Sequence, residues 1–176
     1  MASTMKILTL IFAVLFLTGA AFADFTGKVI GVSDGDTLKV LRDGTNSVRV
    51  RLSGIDCPEK KQAFGQRAKQ AASDLACGKA VTVREVGIDR YGRTIGEIML
   101  GDGRSLNHEL VRTGFAWWYR QYSPNDAELA ALENQARTAK VGLWVDPNPL
   151  PPWDYRKEQK QSRHKTPIAS IIPVVR

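Results

Sequence analysis

Ser47-Val48-Arg49-Val50-Arg51-Leu52-Ser53-Gly54-Ile55-Asp56-Cys57-Pro58-Glu59 is the stretch on which the reading of this chain turns. In its first half apolar and charged residues alternate, so Val48, Val50 and Leu52 face one side of an extended strand while Arg49 and Arg51 face the other. Gly54 and Pro58 end the strand, and Pro58 biases Cys57 towards extended backbone. Asp56 and Glu59 are therefore spread along a bent segment instead of being stacked on a helix. Two carboxylates at the exit of a strand can divide labour, one holding a metal ion and the other handling a proton. Taken alone, the segment reads first as a polar turn, because Asp, Gly and Pro are turn residues in their own right.

The flanking sequence supplies partners for that strand. Residues 25–32 and 37–42 are rich in Val, Leu, Thr and Phe and are separated by Ser33-Asp34-Gly35-Asp36. A second turn, Asp43-Gly44-Thr45-Asn46, leads into residues 47–52, so three successive antiparallel strands are expected. Asp36 opens the second strand and Asp56 follows the third, and a curled sheet brings both carboxylates to one end. Residues 62–77 are good helix formers, with Gly78 placed for a left-handed cap. Strands are expected again at 80–86 and 94–100, linked by Asp89-Arg90-Tyr91-Gly92-Arg93. The arginines of that link present forks of donors to an anion and Tyr91 offers a ring and a hydroxyl; as a hairpin tip it is also a solvated turn. Ser105 caps a short helix running to Thr113, and Phe115 and Trp118 read as core. A third helix starts at Ser123-Pro124, buries Leu129, Leu132, Ala136 and Ala139, and stops at Gly142. The prolines from Pro147 to Pro152, with Trp153, read as an extended strap. The expected class is α+β, a five-stranded OB-type β-barrel with three helices, a fold that binds nucleic acid through a basic curved face.

The ends of the chain read differently. Lys6, the apolar run 7–17 and Ala21-Phe22-Ala23 have the form of a secretory signal peptide, residues 1–23. The run is short for a membrane span, which needs about 20 residues. A single domain at 24–155 and a basic, mobile tail at 156–176 follow, and the expected location is secreted or periplasmic, as a monomer without stable membrane association. The whole chain carries 25 basic and 18 acidic side chains, a net charge of +7; without Lys6 this is +6, a balance that favours polyanions. Two cysteines and two scattered histidines lack zinc-ligand spacing. No histidine lies near a cysteine in sequence, which argues against a cysteine nucleophile. Export would permit a disulfide between Cys57 and Cys77.

Asp34-Gly-Asp-Thr37, Arg51 to Glu59, Asp89-Arg-Tyr-Gly-Arg93, Leu110-Val-Arg-x-Gly114 and Gly142-Leu-Trp144, in this order and spacing, resemble the thermonuclease (staphylococcal nuclease-like) family from about residue 25 to 155. The resemblance implies a Ca²⁺-dependent endonuclease acting on DNA and RNA that leaves 3′-phosphate ends. It implies metal ligation by Asp36, Asp56 and the backbone carbonyl of Cys57, with Asp34 in the outer shell. Arg51 and Arg93 match the phosphate-clamping arginines, Glu59 the general base, and Tyr91 and Tyr122 the aromatic contacts to the nucleotide. Two departures stand out: Arg120 occupies a position where staphylococcal nuclease has tyrosine, and Cys57 one where it has threonine. The competing readings are a non-catalytic OB-fold nucleic-acid-binding module and a structural exported protein. The first would be expected to have lost part of the charged set, and the second does not account for the clustered acids.

Overall fold

A computed structural model describes residues 23–165, with side chains to residue 163. The expected signal peptide, apart from Ala23, and the end of the expected tail lie outside the described residues. Five strands close into a barrel in the order β1-β2-β3-β6-β5: β1 Phe25–Asp34, β2 Thr37–Arg42, β3 Asn46–Leu52, β5 Ala80–Ile88 and β6 Thr94–Leu100. Its α+β, OB-type character is as expected. The first three strands form the antiparallel meander. Closure comes from β3 running parallel to β6, with Val50 opposite Thr94, and from β5 returning to β1, with Phe25 opposite Val83. Period-two alternation fills the interior: Val29, Leu38, Val40, Val50, Val83 and Ile98 are fully buried. Each such side chain contributes about 1.5–3 kcal/mol by leaving water. Two register shifts in β1, before Gly31 and before Asp34, curl that strand.

Outside the barrel, β4 (Ile55–Asp56) pairs with β7 (Trp117–Trp118). Helix α1 (Gly65–Ala76) is three residues shorter at its start than the composition predicts. Its buried stripe is Ala68, Ala72 and Ala76, small enough to lie close on the barrel. Helix α2 (Leu106–Arg112) has Ser105 as its cap, accepting from the His108 N–H. Asn107 on α2 donates to the Ser53 carbonyl at 2.9 Å and accepts from the Ile98 N–H at 3.2 Å, which ties the helix to the exit of β3.

The rest of the helical layer departs from expectation. Helix α3 spans Ala127–Thr138, not from Ser123-Pro124, because Asp126 supplies the cap by accepting from the Leu129 N–H. Leu129 and Ala136 are buried as expected, but Ala139 is exposed and Glu133 takes an inward position. Gly142, with φ of 58°, does not end this helix; it opens a 3₁₀ turn, Gly142–Val145, that buries Leu143 and Trp144. Downstream of it the chain forms a fourth helix, α4 (Pro152–Lys165). The strap thus ends at Pro151, and residues 156–165 of the expected tail are helical. Pro152 opens α4 and Asp154 lies in its first turn, both favourable at a helix N-terminus.

The disulfide between Cys57 and Cys77 is absent: both thiols are free, Cys57 buried and Cys77 exposed. Cys57 sits by the first turn of α1, where a Cβ added at Gly35 would touch both Cys57 Sγ and Ala68. Cys77 follows the last turn. Nine residues from Ala68 to Cys77 span about 13 Å of helix axis, beyond the roughly 7 Å that a disulfide bridges between Cα atoms.

Candidate active site

The mouth of the barrel opens into a pocket of about 830 Å³. The sequence places its residues from separate elements: Asp34 ends β1, Asp36 precedes β2, Arg51 lies on β3, Asp56 on β4, and the 89–93 link crosses the rim. Because Thr37 pairs with Arg51, Asp36 lies beside the guanidinium. Arg51 Nη1 is 2.7 Å from Asp36 Oδ2 and Nη2 donates to Asp56 Oδ1 at 2.8 Å, so one arginine bridges both aspartates. Asp36 Oδ2 also accepts from the Cys57 N–H at 2.8 Å. That bond turns the β4 exit towards Asp36. Gly65 lets α1 start against the same loop, since a Cβ there would collide with the Glu59 carbonyl.

Burial raises the carboxyl pKa of both Asp36 and Asp56, against the lowering pull of Arg51 and, for Asp56, of Arg156. Burial works against the charged form of Arg51, but the surrounding aspartates outweigh it and raise its pKa. The Cys57 thiol is pushed well up, first by burial and then by Asp36. Asp34 Oδ1 is buried without a hydrogen-bond partner among the described residues.

Tyr91 and Tyr122 line the pocket and are 60% and 76% exposed. Arg93 also lines it, but its Nε donates to Asp89 Oδ2 at 2.7 Å and its Nη1 reaches only Thr37 Oγ1, at 3.4 Å. The site thus brings together Asp34, Asp36, Arg51, Asp56 and Glu59, with Arg93 and the two tyrosines on the rim. Arg120 is turned away: it donates to the buried Glu133 at 2.9 Å and lies over Trp118. Tyr119, one position earlier, lines the pocket beside Tyr122, the ring centroids 5.0 Å apart.

Sequence reasoning missed Arg156 altogether. From the first turns of α4, Nη2 donates to Asp56 Oδ2 and Nη1 to Glu59 Oε1, both at 2.8 Å. Burial opposes the charge on Arg156, but hydrogen bonds to Asp56 and Glu59 outweigh it and raise its pKa. The available signal was Pro152 followed by Asp154, a helix start that places Arg156 one turn on, obscured by the proline run before it.

The pocket is lined by five carboxylates, Asp34, Asp36, Asp56, Glu59 and Asp89, and by four arginines, Arg51, Arg90, Arg93 and Arg156, a formal excess of one negative charge. With only oxygen donors and an unpartnered Asp34 oxygen, this set fits a hard divalent cation such as Ca²⁺. Among the described residues no group of three or more His, Cys, Asp and Glu side chains is arranged to hold a metal by itself, so backbone and water oxygens would have to complete the set.

A closed OB-type barrel whose mouth gathers carboxylates, arginines and exposed aromatic rings is an architecture for a phosphodiester substrate. The family model described as staphylococcal nuclease homologue matches residues 49–146. An uncharacterized endonuclease of Escherichia coli O157:H7 is 46% identical over 134 residues, covering 76% of this chain and 86% of its own length. A micrococcal nuclease of Shigella flexneri is 42% identical over 158 residues, covering 85% and 90%. An uncharacterized endonuclease of Haemophilus influenzae is 43% identical over 153 residues, covering 87% and 84%. The chain belongs to the staphylococcal nuclease family.

Proposed function

We propose that this protein is an exported, Ca²⁺-dependent endonuclease that hydrolyses DNA and RNA to leave 3′-phosphate ends. The observation that carries the reading is the convergence of Asp36, Arg51, Asp56 and Glu59 at one barrel mouth walled by Tyr91 and Tyr122. Export is supported by the form of residues 1–23. The cation would be held by Asp36, Asp56 and the Cys57 carbonyl, with Asp34 orienting water around it. When bound, it supplies positive charge against the phosphate oxygens.

The remaining steps belong to the side chains. Arg51, fixed between two aspartates, offers donors to a non-bridging phosphate oxygen without needing to reorganise. Arg93 must turn from Asp89 to do the same. Donors preorganised towards charge that builds during reaction contribute roughly 3–4 kcal/mol each. Glu59, half-exposed at the rim, accepts the proton of the water that attacks phosphorus. The P–O5′ bond breaks, the leaving oxygen takes up a proton, and the phosphate stays on the 3′ side. Tyr91, Tyr122 and Tyr119 offer ring faces on which bases stack without sequence preference.

Purified protein is incubated with single-stranded DNA and with RNA, with Ca²⁺ or with EDTA, and the product ends are tested for 3′-phosphate. Cutting confined to the Ca²⁺ samples is expected. Glu59→Gln, which keeps the shape but not the base, should lower the rate by about 10²–10⁴. A wild-type protein that binds oligonucleotide yet cuts nothing in Ca²⁺ is instead a non-catalytic binding module.

A further inference from the structure

Helix α4 does more than deliver Arg156. Arg156, Lys160 and Arg163 stand at i, i+4 and i+7, one stripe of the helix, and all three are exposed. The direction of the stripe is set by its first member, whose guanidinium lies 2.8 Å from Asp56 and Glu59 in the pocket. At 1.5 Å per residue, Arg163 lies about 10 Å further along the axis. The helix is seated by Trp153, stacked on Tyr119 at 5.3 Å and edge-on to Trp117 at 5.6 Å. Acidic side chains on α4 fall off the stripe: Asp154 is paired with Lys157 at 2.9 Å, and Glu158 is two positions from Arg156, on the far side of the helix.

We propose that α4 is a phosphate-binding rail: its Arg156, Lys160 and Arg163 stripe takes the backbone of single-stranded nucleic acid where the strand leaves the pocket. This rests on the pocket being a nucleic-acid site and not on cleavage. A strand long enough to be cut internally must run over the pocket rim, and α4 is a rim element with a line of cations. Contacts of this kind hold the backbone without reading sequence.

The test is the salt dependence of binding, measured in EDTA so that no Ca²⁺-dependent cutting occurs. Full-length protein and a Lys160→Gln/Arg163→Gln variant are titrated against a fluorescein-labelled single-stranded DNA of about 16 nucleotides over a series of NaCl concentrations. Each neutralised phosphate contributes about 0.7 to the log-log slope for a single strand, so the variant's slope should be shallower by about 1.4. Lys28→Gln/Lys79→Gln removes the same charge from the far end of β1, where Lys28 pairs with Ala80, and should leave the slope unchanged. A wild-type slope in the α4 variant, or an equal fall in both variants, overturns the rail. An unchanged slope beside intact Ca²⁺-dependent cutting removes the rail alone; absent cutting beside a reduced slope removes the nuclease reading alone.

Discussion

Asp56 is 1% exposed and takes guanidinium donors on both oxygens, Arg51 on one and Arg156 on the other. Neither arginine alone would compensate so deeply buried a carboxylate, and Arg156 reaches on to Glu59, the group assigned the proton transfer. Arg156 therefore stands where a cation's charge is wanted. Arg156→Gln should lower the stability of the Ca²⁺-free protein by about 1.5–3 kcal/mol, the range for hydrogen bonds to charged groups. It should also tighten Ca²⁺ binding measured by calorimetry without nucleic acid, since a competing charge has gone. A purely structural arginine would give the stability loss with unchanged Ca²⁺ affinity, and that result would sink the assignment. At this scale the sequence showed Arg51, Asp56 and Glu59 within one short stretch, where alternation and turn residues fix their places, and Asp36 at the turn that opens the second strand. It hid Arg156, whose hydrogen-bond partner Asp56 is 100 residues away. It also missed Tyr119, which lines the pocket beside the expected Tyr122 while Arg120 holds Glu133.

Elements were legible where a period could repeat. The barrel strands run to six or more residues rich in β-branched and apolar side chains, and α2 carries its serine cap, so both appear close to where the sequence puts them. Strands β4 and β7 have two residues each, too few to show a period, and they exist because Ile55 and Asp56 lie alongside Trp118 and Trp117. Helix α4 was masked by its composition, since prolines before it and basic residues within it are equally the marks of a strap and a tail. Helix α2 has a further device. Glu109 accepts from Arg112 at 2.6 Å and from Arg104 at 2.9 Å, and chiefly through Arg112 its carboxyl is held below the ordinary 4.5. The stability this brings is present above about pH 4.5 and is lost as pH falls through the lowered value, where the folded carboxylate also protonates. Glu109→Gln should therefore lower Tm at pH 7 by roughly 2–4 °C, the response of a domain of this size to one such interaction. The gap between variant and wild type should close in an acid series of thermal melts; a constant gap down to pH 3 would show that packing, not charge, is lost.

Across the whole molecule the site draws on residues from Asp34 to Arg156, so no segment contains it and the barrel mouth must be assembled before the carboxylates meet. A disulfide between the two cysteines would brace such a mouth, and a loop of this length would gain about 3 kcal/mol in the chain-entropy model. The fold takes another course. Cys57 is packed against Gly35 and Ala68 at one end of α1, while Cys77 is exposed at the other, and the intervening helix is too rigid to let them meet. The loop bearing Asp56 and Glu59 is held instead by the Cys57 N–H on Asp36, by close approach at Gly65, and by Arg156 from α4. Native protein should therefore expose one thiol per chain to Ellman's reagent, Cys77, and a second should appear only in denaturant, because Cys57 is 3% exposed and burial disfavours its thiolate. Thermal melts with and without reductant should coincide, whereas a disulfide worth about 3 kcal/mol would separate them by roughly 6–12 °C. Two unreactive cysteines in denaturant, with a melt lowered by reductant, would mean that oxidation pulls the ends of α1 together and that the mouth is braced covalently after all.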